Sequence, residues 1–267
     1  MKHPSLTSLL SAALSAALLT ALAPLAWGAE CSAKSGEQTV PLLELFTSEG
    51  CSSCPPADRL LSGLRAAGNT AGKVVPLALH VDYWDYIGWK DAFAHPEFAA
   101  RQRQQAERAG KPVVYTPQFF VQGKPYGATP AAGALTADLE RYHGQTARAD
   151  IALDIGPTSG GGLPVKVAAR LRESPAGGRF GLVVALYENG LTTQVTAGEN
   201  RGRTLRHDFV VRQWLTPGKP AENGRLAATA QFALPPAARP ENLGVAAFVQ
   251  DLQSGDVIQA IAHEVCG

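Results

Sequence analysis

Two cysteines three positions apart, Cys51 and Cys54, are the residues of this sequence best suited to chemistry. A Cys-x-x-Cys pair can cycle between dithiol and disulfide, supply half of a zinc site, or form an inert structural bridge. Its setting discriminates between these. The apolar run 40–46 ahead of it reads as a buried strand. Behind it, Ala57, Leu60, Leu61 and Leu64 recur at helical spacing on one face. The pair therefore stands where a strand turns into a helix, at the positive end of the helix dipole with its unpaired N–H groups. A thiolate is stabilised there, and a cysteine pKa can fall from about 8.5 to roughly 3.5–7.5. Pro55 and Pro56 suit a first helical turn, and Ser52 or Ser53 is expected to cap it. Zinc would need a second ligand pair at suitable spacing, and the sequence offers none. The favoured chemistry is thiol–disulfide exchange, with Cys51 nearer the exposed end and Cys54 resolving the mixed disulfide. Ser52 and Ser53 are candidate hydrogen-bond donors to the Cys51 thiolate, which would stabilise the reduced form.

Other polar residues are weighed against plainer roles. His80 and Asp82 alternate at a strand end and, with the two thiols, would make a copper site; a hydrogen-bonded core histidine is the favoured alternative. Glu49 is expected to be a solvated loop residue, though its charge can raise the Cys51 pKa. The Gly198–Arg206 stretch is read as a solvent-exposed hairpin tip, the alternative being a loop that leans on the cysteines and selects partners. Nothing in the sequence places His207 or Asp208 near Cys51. The run 68–73 resembles a phosphate loop but is one residue short and lacks the hydroxyl after its lysine.

The elements that must position the cysteines follow from periodicity. Strands are expected over 40–46 and 74–81, joined by a helix from Pro55 to about Ala67 that stops at Gly68. A second helix, Pro96 to Ala109, is rich in Arg and Gln and reads as a solvated helix with a wet face. A Thr-Pro step at Thr116-Pro117 then enters an apolar strand that reverses around Gly123, and a helix runs from Thr129-Pro130 to about Tyr142. After about Arg148, alternating apolar positions at 151–155, 165–171, 182–186 and 243–249 are separated by Gly- and Pro-rich turns, the pattern of a β-sandwich.

The order of elements over residues 40–143 resembles the thioredoxin fold. The phrases around Glu44–Asp58, His80–Asp85 and Tyr115–Gln118, with Gly198–Leu205, are similar to a secreted bacterial family known as a domain of unknown function with a thioredoxin-like core. The resemblance implies an α/β thioredoxin-like domain followed by an all-β sandwich-like domain, and it makes Pro117 a cis proline beside the disulfide. It implies no particular reaction. The chain departs from thioredoxin in having Gly50 before the first cysteine and Leu45 where thioredoxins bury an Asp. Leu45 accepts no proton from Cys54, so another group or water must.

The organisation expected is a signal peptide over 1–28, a thioredoxin-like domain over 29–147 and a β-sandwich-like domain over 148–267. Lys2 and His3 precede an Ala/Leu-rich run and small residues at a cleavage site, which points to export to the periplasm or beyond. Without Lys2 the basic and acidic residues balance, which excludes an electrostatic case for nucleic acid or anionic membrane. Export favours disulfides, and Cys31 and Cys266, near the two mature ends, are expected to form a second bridge. The function expected is an exported thiol–disulfide oxidoreductase acting on protein thiols or disulfides through Cys51, Cys54 and Pro117, with no cofactor and no metal. The alternatives are a binding protein with a structural disulfide, or a copper carrier.

Overall fold

A computed structural model describes residues 1, 31–68, 70, 72–173, 178–215 and 223–266. The expected signal peptide lies outside the described residues, apart from Met1. The described chain is mostly β, with three α-helices.

A short strand β1 (Ser32–Lys34) precedes β2 (Leu42–Thr47), which leads into α1 (Pro55–Ala66). Then come β3 (Val75–His80), a 3-10 turn (Asp82–Ile87) and α2 (Pro96–Arg108). A hairpin of β4 (Gln118–Val121) and β5 (Lys124–Gly127) is followed by α3 (Ala132–His143). The strands β2 and β3 are parallel, as a helical crossover requires, while β4 returns antiparallel to β2, pairing Phe46 with Gln118. Every residue of β2, β3 and β4 is buried. The Thr116–Pro117 bond at the entry to β4 is cis.

The second half is β6 (Ala149–Ile155), β7 (Gly162–Leu171), β8 (Phe180–Glu188), β9 (Leu191–Gln194), β10 (Thr204–His207), β11 (Val210–Leu215), β12 (Arg225–Ala233), β13 (Leu243–Asp251) and β14 (Val257–Glu264). Apart from β9 and β10, which pair with each other, these strands share their sheets with strands of the first half. One eight-stranded sheet runs β14-β13-β8-β11-β3-β2-β4-β5, so the expected boundary at 147/148 falls between α3 and β6 without interrupting it. The join is β11 alongside β3, where Ala78 N–H donates to Phe209 O at 2.8 Å. A four-stranded sheet, β1-β6-β7-β12, carries the first strand of the chain into the second half.

Alternation along the strands explains the layering. In β8 and β13, Val183, Ala185, Tyr187, Ala246 and Phe248 join the core shared with the helices. Their neighbours Leu182, Val184, Leu186, Val245, Ala247 and Val249 join a second core with β6 and β7. That is why β8 is buried on both faces, whereas β6 and most of β7 alternate between buried and more exposed positions. Cys31 and Cys266 are joined, closing a separation of 235 residues. A bridge across so long a loop constrains the unfolded chain by ~3–5 kcal/mol in loop-entropy terms.

Candidate functional site

The chain leaves β2 at Thr47 and turns through Ser48–Ser53 into α1. Cys51 N–H donates to Ser48 O and Cys54 N–H to Cys51 O, both at 3.2 Å, and Cys51 and Cys54 are joined. Cys54 itself is the helix N-cap; its carbonyl receives Ala57 N–H at 2.9 Å, and no side chain caps the helix. The expected serine cap is therefore corrected: Ser53 turns back instead, its Oγ 3.4 Å from Cys51 Sγ. Pro55 and Pro56 occupy the first turn, where an N–H has no intrahelical partner.

Cys51 is not the exposed member of the pair. Both cysteines have no accessible surface, while Ser52 and Ser53 are exposed. The turn between β9 and β10 is bonded to the main chain of the cysteine loop. Asn200, itself fully buried, donates from Nδ2 to Glu49 O at 2.8 Å and to Cys51 O at 2.9 Å. Glu199 Oε2 accepts from Ser52 N–H at 3.0 Å, and this bonding holds the Glu199 carboxyl below its usual range. The expectation of a free hairpin tip is thus corrected: this stretch is fastened to the cysteine loop.

Two glycines make the close packing possible. A side chain on Gly50 would meet Trp84 Cβ at 3.0 Å and Ile87 Cδ1 at 3.3 Å. Gly198, at φ +69°, would meet Trp89 Cβ at 3.1 Å. The space beside Gly50 is filled from the 3-10 turn by Trp84, whose Nε1 donates to Thr116 Oγ1 at 2.6 Å. That bond ties the turn to the residue before Pro117. Tyr83 O–H donates to Gln102 Oε1, and burial pushes the Tyr83 phenol up to about 12.

Behind the cysteines lies a set of buried ionisable groups that sequence reasoning did not assemble. Glu49 is fully buried, not solvated: its Oε2 accepts from Trp89 Nε1 at 2.9 Å and its Oε1 lies 3.3 Å from His207 Nε2. Asp58, one helical turn beyond Cys54, accepts from Thr47 Oγ1 at 2.8 Å and lies 3.9 Å from His207 Nδ1. Burial raises the Asp58 pKa, against the lowering pull of His207 and His80. His80 Nδ1 is 2.7 Å from Asp91 Oδ2, which also accepts Glu49 N–H at 2.8 Å. The His80 and His207 rings meet edge to face at 5.0 Å. His80 is thus a core residue bonded to Asp91. Among the described residues, the one grouping within metal-ligating reach is Cys31, His263 and Cys266, and its cysteines are already joined. The signal that was legible for His207 was only its place in a strand; its partners lie about 150 residues away along the chain.

The His80–Asp91 pair has a definite pH signature. Burial opposes a charge on His80, yet Asp91, Asp58 and Glu49 raise its pKa above 6.5. Burial likewise opposes ionisation of Asp91, yet His80 and two backbone N–H groups hold it below 3.8. A raised histidine stabilises the fold fully below 6.5 and loses this as pH climbs through its folded value; a lowered carboxylate stabilises above 3.8 and loses this as pH falls through its folded value. The pair therefore contributes most between pH 3.8 and 6.5. Asp91→Asn is expected to destabilise by about 1–3 kcal/mol near pH 5.5 and by less at pH 9, checked by urea midpoints at the two pH values.

The second helix does keep a wet face at Glu97, Ala100, Arg103, Gln104 and Glu107, but Gln102 and Gln105 are buried on the other and Arg101 reaches inward. Arg101 sends Nε and Nη2 to the fully buried Glu44 carboxylate and Nη1 to Gln250 at 3.1 Å. Gln102 Nε2 donates to Tyr115 O at 2.8 Å and to Gln118 Oε1 at 2.7 Å, fixing the approach to Pro117 from the helix.

Fold and site together define a mostly β protein with an α/β half, in which a Cys-x-x-Cys bridge heads a helix above buried acid–base groups. Residues 42–250 match the family described as "Protein of unknown function (DUF1223)", and the chain belongs to that family. It is similar to a crystal structure of a protein from Agrobacterium tumefaciens, at 25% identity and TM-score 0.60, over 86% of this chain and 96% of that one. It is also similar in fold to HBP35 of Porphyromonas gingivalis, at 18% identity and TM-score 0.65, over 86% and 76%. No curated protein matches the sequence. No helix among the described residues is long and apolar enough to cross a membrane.

Proposed function

We propose that this chain is an exported thiol–disulfide oxidoreductase with a thioredoxin-like core, working through the Cys51–Cys54 couple on protein thiols or disulfides. The observation that carries the reading is the pair's position: Cys54 is the N-cap of α1, so both sulfurs stand at the positive end of the helix dipole. Support for the core comes from the order β2-α1-β3-α2-β4-β5-α3, with sheet neighbours β3-β2-β4-β5 and Pro117 entering β4. In the reducing direction a partner thiolate attacks Cys51 Sγ. The Cys51–Cys54 bond breaks, and its electron pair leaves on Cys54 Sγ, which takes up a proton. A second partner thiolate then attacks the partner sulfur of the mixed disulfide and releases Cys51. Asp58, a buried carboxyl one helical turn beyond Cys54 whose N–H donates to the Cys54 carbonyl, is the group we assign to hold a proton for Cys54.

A second reading has an observation of its own. The burial of both cysteines suits a structural bridge in a non-catalytic binding protein. The reduction potential separates the two. Equilibration in glutathione and dithiothreitol buffers is expected to give a Cys51–Cys54 potential above about −300 mV, and a value well below that assigns the bridge to structure.

A further inference from the structure

We infer that the turn between β9 and β10 occupies the docking edge of the partner polypeptide, and that Asn200 and Glu199 stand in for the partner's own backbone. This rests on the exchange reading above and names the kind of partner the site fits: an extended, cysteine-bearing segment rather than a small thiol.

The three hydrogen bonds that seat the turn all go to main-chain groups of the cysteine loop. Asn200 Nδ2 satisfies Glu49 O and Cys51 O, and Glu199 Oε2 satisfies Ser52 N–H. The amide N–H2 supplies two donors and the carboxylate oxygen one acceptor, a set that two peptide N–H groups and one C=O of an extended chain also supply. An incoming extended chain can therefore replace them bond for bond, leaving no buried group unsatisfied. Removing the turn without such a replacement would strand two carbonyls and one N–H, so a small thiol gains nothing that offsets the opening.

The base of the hairpin is anchored, since His207 at the end of β10 lies buried against Glu49 and Asp58, and the part that yields is the segment between the strands. Strands β9 and β10 pair only with each other, outside both larger sheets. The outer positions of the turn, Thr196, Glu199 and Arg201–Arg203, are exposed, while Val195 and Asn200 are buried, Asn200 at the tip. Its rim is the 3-10 turn, where Ile87 packs under Gly198 and Tyr86 is 82% exposed, a large aromatic surface beside the entrance. Holding the main chain of the cysteine loop until a matching chain arrives gives the bridge a selectivity that sulfur chemistry alone lacks.

The test compares rates of reduction of the Cys51–Cys54 bridge in wild type, Asn200→Ala and Glu199→Ala by dithiothreitol, glutathione and an unstructured cysteine peptide, read by alkylation and peptide mass. Near-UV circular dichroism confirms that each variant is folded; Glu199 is exposed, so its variant keeps the test alive if Asn200→Ala does not fold. Loss of two hydrogen bonds is expected to speed reduction by dithiothreitol on the order of tenfold in Asn200→Ala, and loss of one to speed it several-fold in Glu199→Ala. In wild type the peptide is expected to outpace glutathione, and the variants to narrow that advantage. Folded variants reduced at the wild-type rate, or a wild type indifferent to peptide and glutathione, overturn the docking edge while leaving exchange intact. A bridge that resists every thiol in all three proteins overturns the exchange reading itself.

Discussion

Cys51→Ser is expected to bring thiol–disulfide exchange to the uncatalysed background, and Cys54→Ser to leave Cys51 coupled to its partner. The asymmetry follows from position. Cys51 adjoins the exposed Ser52 in the loop that Asn200 and Glu199 bond, whereas Cys54 caps α1 with its carbonyl bonded to Ala57 and Asp58. A partner sulfur arriving from outside therefore meets Cys51 first. With Cys54 replaced, Cys51 is a lone thiol: it attacks a partner disulfide, forms the mixed disulfide and has no neighbouring sulfur to release it. Insulin reduction and non-reducing gel shifts check the two outcomes. Equal activity in both variants, or no mixed disulfide with Cys54→Ser, would assign the bridge to structure.

Arg101→Met is expected to cost about 3–5 kcal/mol of stability, because it leaves the Glu44 carboxylate buried without its counter-charge. Glu44 sits in the middle of β2 with no exposure, and Arg101 reaches it from α2 with two of its nitrogens. The same guanidinium lies 4.9 Å from the Trp214 ring centroid and 5.2 Å from that of Phe248, and it donates to Gln250. One side chain thus binds α2 to the front strand β2 and to the later strands β11 and β13. Urea denaturation measures the loss. The double variant Arg101→Met/Glu44→Leu is expected to recover part of it, since an apolar pair of similar size avoids the desolvation of two ions. A loss under about 1 kcal/mol for Arg101→Met would mean that Glu44 finds water or another donor.

Local structure was largely legible. The helix after the cysteines was expected from Pro55 to Ala67 and runs Pro55–Ala66; the second was expected to end at Ala109 and ends at Arg108. The Cys31–Cys266 bridge followed from cysteine arithmetic, and Ser254-Gly255 does turn β13 into β14. Polar residues were misjudged. Glu49, Gln102 and Asn200 read as solvated because their types usually are, and nothing local placed His207 near Cys51. Each is buried against a partner at least 13 residues away in the sequence, which no composition window contains.

By itself the sequence determined the repeating elements and the place of the two cysteines between a strand and a helix. Both depend on residues within a few positions of one another, where 3.6- and 2-residue periods are written directly. Only the tertiary structure decided that β11 extends the sheet at β3, that Asn200 bonds the Cys51 main chain, and that Glu49, Asp58 and His207 share one buried site. Those pairings close loops of more than a hundred residues. Loop closure costs grow only with the logarithm of length, so many distant partners compete on nearly equal terms. Complementary surfaces in three dimensions choose among them, and no local pattern records the choice.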